Sequence, residues 1–120
     1  MIDREAQLLA ILRVGHDTSM RGPGISLRDA LTHTHYRNLR PGFGPGDLLP
    51  LIRLHTELVE EWILYSADKR TDGGWYLLEQ GEIGQVGVPQ SRMNFDSMEQ
   101  AVAEYVVREL DFWAQLSKSG

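Results

Sequence analysis

The chain has 120 residues, of which 42% are apolar and 24% charged, and its 12 basic and 17 acidic side chains leave a formal charge of −5. That length fits one domain (1–120) with a real core, burying roughly 65% of the surface its unfolded chain exposes, and the acidic balance argues against a broad nucleic-acid surface. The absence of cysteine excludes disulfides, thiolate zinc sites and cysteine nucleophiles within this chain.

The opening run MIDREAQLLAILRVG interleaves acid and base with its apolar residues, unlike the graded regions of a signal peptide. No segment approaches 18 uncharged apolar residues, so no membrane span is expected. A cytoplasmic protein is the expectation, with a cysteine-free exported protein as the alternative. Residues 3–14 wind a broad apolar face into a helix, with Asp3 able to cap it and Gly15 placed to stop it. After a Gly-Pro loop, Ser26 with Asp29 three residues on has capping-box spacing and opens a short helix over 27–35.

"RNLRPGFGPGD" then breaks all periodicity. Phe43 at its centre either plugs the core or projects toward a partner. Residues 47–67 read as one long helix. Leu48, Ile52, Val59 and Ile63 set its stripe, Leu51, Leu58 and Trp62 widen it, and Pro50 is confined to its first turn. "TDGG" ends that helix. Residues 75–78 and 83–88 are predicted to pair as an antiparallel hairpin around Gly81, with Pro89 stopping the ladder and Trp75 or Tyr76 packing on the last helix. Asp96 with Glu99 at N3 predicts the start of that helix, whose stripe runs through Met98, Ala101, Val102, Tyr105, Val106, Leu110 and Trp113. The order predicts an α+β fold, helices packed on a small antiparallel hairpin or sheet.

Motifs that carry chemistry are weak. His33 and His35 lie two apart in a segment read as helix, where their side chains diverge, and no HExxH spacing occurs. His55 beside Glu57, Glu60 and Glu61 could form an acid–base pair or simply border the core. Glu57 and Glu61 share a helical face that reads as a solvated acidic surface. The proline-bearing loops lack the N–H donors of a phosphate nest, and no serine sits in a nucleophile motif. No catalytic residue, metal or cofactor is therefore assigned. Lys69 and Arg70 suit the C-terminal dipole of the long helix, or else Asp68, Arg70, Asp72 and Trp75 form a polar rim and aromatic anchor for a partner.

The run "GGWYLLEQGEIGQVG" followed by "NFDSMEQAVAEYVVRELDFW" resembles the closing segment of small bacterial immunity-type proteins of polymorphic toxin systems. Gly74, Trp75, Phe95, Asp96, Ser97, Ala101 and Tyr105 carry the likeness, which covers about the last 50 residues. Ala101 and Val102 stand where such helices usually hold a cysteine. The resemblance implies a cytosolic protein without catalytic residues that occludes a partner's active site.

The expected function is thus a non-catalytic protein-binding module. Phe43, Glu57, Glu61, Arg70, Asp72, Trp75 and Tyr76 are the candidate contacts. The partner is another protein or a second copy, with neither nucleic acid nor membrane involved. The rivals are a small metal- or histidine-dependent hydrolase built on His33, His35 and His55, and a homodimeric structural protein.

Overall fold

In a computed structural model of the chain, residues 4–19, 23–68 and 73–114 are described. Helix α1 (Arg4–Leu12) buries Leu8, Ile11 and Leu12 on the face the sequence periodicity selects. The expected Asp3 cap lies outside the described residues. Gly15 does not stop the helix. The chain bends at Arg13 and resumes as α2 (Val14–Asp17), with Gly15 inside it. The glycine answers to tertiary space: a Cβ there would lie 3.0 Å from Trp62 Cδ2. The turn ends where Thr18 and Ser19 hydroxyls donate to the carbonyls of Val14 and His16, at 2.9 and 2.8 Å.

Helix α3 (Leu27–His33) starts at the expected cap, the Asp29 N–H donating to Ser26 Oγ at 3.1 Å. It ends two residues early because His35 takes a left-handed conformation, φ 56° and ψ 37°. Helix α4 (Tyr36–Leu39) and a 3-10 turn (Arg40–Gly42) follow. Tyr36 is wholly buried and donates to Asp111 Oδ1 at 2.6 Å, while Arg40 Nε donates to the same carboxylate at 2.9 and 3.1 Å. Burial, reinforced by Asp111, pushes the Tyr36 phenol far above its ordinary pKa.

The expected single helix over 47–67 is two: α5 (Pro45–Leu54) and α6 (Glu57–Asp68). His55 and Thr56 fall four residues after Leu51 and Ile52, where the apolar stripe would need to continue. With no burial to hold the helix across them, the chain turns at His55 (ψ 72°). The two halves then take different neighbours: α5 packs on α1 and the last helix, and α6 on α2, the last helix and the first strand. Helix α5 also begins earlier than expected, the Gly44 N–H donating to Asp47 Oδ2 at 2.8 Å, so Pro50 sits inside it. Pro50 and Gly46, four residues before it, are both exposed, so water can reach the carbonyl that the missing N–H leaves over.

Three strands, β1 (Trp75–Leu77), β2 (Glu82–Gln85) and β3 (Val88–Asn94), form an antiparallel sheet in chain order. Trp75 faces Gln85, Tyr76 faces Gly84 and Leu77 faces Ile83, so the expected hairpin is present. Its return strand is shorter than 83–88, however, and Pro89 does not end the ladder. A turn at Gly87 (φ 82°) sends the chain back as β3, with Ile83 opposite Met93 and a register shift before Gln85 meets Val88. Pro89 is tolerated because β3 is an edge strand and Pro89 lies near its start.

Gly81 turns β1 into β2 at φ 93°, and a Cβ there would sit 2.9 Å from the Phe95 carbonyl oxygen. That oxygen belongs to backbone pinned by the Phe95 N–H donating to Gly81 O at 3.0 Å. Gly81→Ala is expected to cost about 2–3 kcal/mol, the positive φ and the backbone clash together. Urea unfolding midpoints read this, and a midpoint equal to wild type would contradict the turn.

The last helix, α7 (Met98–Ala114), is capped by Ser97 rather than Asp96, the Gln100 N–H donating to Ser97 Oγ at 3.2 Å. It buries the expected Ala101, Val102, Tyr105, Val106 and Leu110, and leaves Trp113 half-buried. The architecture is mixed α+β, helices covering one face of a three-stranded antiparallel sheet. Among the described residues no helix is long and apolar enough to cross a membrane.

Candidate functional site

Alternation along β1 sends Trp75 and Leu77 inward, where with Ile83 of β2 they meet α6 and α7. Backbone N–H groups of those same two residues point away from β2. Trp75 N–H donates to Glu109 Oε1 at 2.7 Å and Leu77 N–H to Ser66 Oγ at 2.8 Å, while the Trp75 carbonyl accepts from the Tyr105 phenol at 3.1 Å. Helix side chains thereby satisfy the free edge of β1, which closes it to another strand.

Glu109 is fully buried, and its Oε2 accepts from the Tyr65 phenol at 2.8 Å and Trp113 Nε1 at 2.9 Å. A desolvated carboxylate is sustained by such converging donors. Burial, strengthened by the Glu109 charge, pushes the Tyr65 and Tyr105 phenols far above their ordinary pKa, so both stay protonated donors. Their rings stack edge-on with Trp62 at centroid distances of 5.1 and 6.1 Å. The sequence reading missed Glu109. Its signal was there: an acid on the same stripe as Tyr105, Val106 and Leu110.

On the opposite face of the sheet, Tyr76 lies across Gly84, where a Cβ would meet the Tyr76 hydroxyl at 2.6 Å. The phenol donates to Glu82 Oε2 at 2.7 Å, and desolvation together with that contact raises its pKa. Leu78 and Val86, 39% and 40% exposed, directly follow β1 and β2, and their N–H groups still donate to Glu82 O and Gly74 O, each at 2.9 Å. Beside Tyr76 a shallow hollow of about 460 Å³ runs over Val88, Pro89 and Arg92.

Among the described residues, the expected contacts do not form one surface. Phe43 plugs the core, 5% exposed, edge-on to Tyr36 at 5.9 Å and under the Arg40 guanidinium, so it does not project toward a partner. Trp75 is likewise buried, with the Arg108 guanidinium 5.0 Å from its ring centre, whereas Tyr76 reaches the outer face. Glu57 lies 3.8 Å from His55 and Glu61 3.4 Å from His16 on α2, so the two carboxylates have separate neighbours. Arg70 and Asp72 lie outside the described residues. His33 and His35 are exposed near the end of α3, and His55 caps α5. Among the described residues no group of three His, Asp or Glu gathers as a metal ligand set. Compared with known proteins, the chain matches no family model, no curated protein and no solved structure.

Proposed function

We propose that this protein works by non-covalent binding of another protein, without turnover, on the outer face of its sheet. One observation carries the reading: α6 and α7 pack on the Trp75 and Leu77 side of the sheet, while Tyr76 turns to the other side and Leu78 and Val86, just past the strand ends, stay exposed. A tyrosine held flat by glycine and flanked by aliphatics is the kind of rigid, low-entropy anchor that interfaces concentrate. Glu82 and Arg92 give the face a polar component that sets register. The chain's net charge of −5 would steer it toward a basic partner.

The resemblance of the C-terminal hairpin and helix to immunity-type proteins supports the same reading. In such a protein Trp75, Phe95, Ser97 and Tyr105 are scaffold, and the face they support occludes the partner, in the cytoplasm.

The test compares wild type with the Leu78→Glu, Val86→Glu double variant. Both positions are exposed, so the melting temperature should hold. Proteins of the source cell retained by wild type and released by the double variant are the expected result, with light scattering showing whether a second copy fills the face instead. An identical retained set with both, and an unchanged mass, would sink the reading.

A further inference from the structure

A groove of about 600 Å³ runs between α3, α4 and the C-terminal end of α7. Leu27, Leu31, Trp113 and Ala114 supply its apolar lining, Arg28 on α3 and Arg37 on α4 supply its charge, and His35 lies between the two helices. Among the described lining residues none is acidic. In a chain with more acids than bases, such a concentration of cations is a local reversal of sign. Arg40, Arg108 and Arg4 are engaged with Asp111, Glu104 and Asp47, but Arg28 and Arg37 form no ion pair among the described residues. Both are exposed. His35 marks where the two short helices diverge, and its left-handed backbone makes that divergence possible. A non-glycine residue held there costs on the order of 1 kcal/mol, so the fold spends stability on the shape of this junction.

We propose that this groove binds an acidic peptide segment of a partner protein, with one apolar side chain against Leu27, Leu31 and Trp113 and carboxylates on Arg28 and Arg37. The guanidinium forks suit carboxylates held bidentately, and two of them on separate helices flank one apolar lining. The groove is half-open, which fits an extended or helical segment laid along it better than a small molecule, whose sites enclose most of the ligand. None of its described lining residues belongs to the sheet, so this site stands or falls independently of the sheet face.

The test selects a random peptide library, displayed on phage, against the wild-type protein. The best peptide is then titrated by fluorescence polarisation against wild type, the Arg28→Glu, Arg37→Glu double variant, and Arg53→Glu on α5 as a charge control. Selected peptides should share acidic residues around an apolar one. Binding should weaken at least about tenfold in the double variant, and similarly when the peptide's acids become amides, while Arg53→Glu leaves it unchanged. Affinity should also fall as salt rises. Thermal melts matching wild type show that the exposed substitutions leave the fold intact. Failure to select any peptide, a selected set without acids, or equal binding by the double variant overturns the proposal.

Discussion

Glu109→Ala is expected to lower unfolding free energy by about 4 kcal/mol, read from the urea midpoint. The carboxylate holds the Trp75 N–H, the Tyr65 phenol and the Trp113 indole N–H. Removing it leaves buried donors without that acceptor, each costing about 1–3 kcal/mol, and opens a cavity besides. Trp113 is half-buried and can turn to water, so the loss falls mainly on Trp75 and Tyr65. Glu109→Gln separates the two contributions. It keeps the volume but turns one oxygen into an amide that faces a donor, so about half of the loss should remain. A glutamine variant as stable as wild type would show that the carboxylate is dispensable.

Trp62→Ala is expected to cost a similar amount, about 3–5 kcal/mol. Trp62 is fully buried, donates from Nε1 to the Leu12 carbonyl at 2.8 Å, and joins the junction of α1 and α2 to the tyrosines of α6 and α7. Trp62→Phe keeps most of the ring and loses that hydrogen bond, so about 1–2 kcal/mol should go. Gly15 provides the cross-check. Gly15→Ala places a methyl 3.0–3.1 Å from three indole carbons and should destabilise wild type by about 1–2 kcal/mol. In the Trp62→Ala background the same substitution meets open space, and its cost should vanish. Equal costs in both backgrounds would mean the glycine is there for its backbone alone.

What the sequence determined by itself was whatever depends on near neighbours. Apolar spacing marked the buried faces of α1 and α7, Ser26 announced α3 through a bond three residues long, and Gly81 between two apolar runs announced the hairpin. The mixed α+β class follows from that order of elements. The outer-face role of Tyr76 was half legible, since alternation separates it from Trp75 but cannot say which side the helices take. Elements that needed a distant partner were decided by tertiary structure. The polar strand β3 has little apolar alternation of its own and exists because β2 offers it a hydrogen-bonding edge. The helix over 47–67 broke at His55 and Thr56, where the stripe lapses, and its halves pack on α1 and on α2 and β1 respectively while sharing α7. Phe43 went inward because Tyr36 and Arg40 receive it. Glu109 is the clearest case: its desolvation is offset by Trp75, 34 residues away, and Tyr65, 44 away, and only folding brings those donors to it.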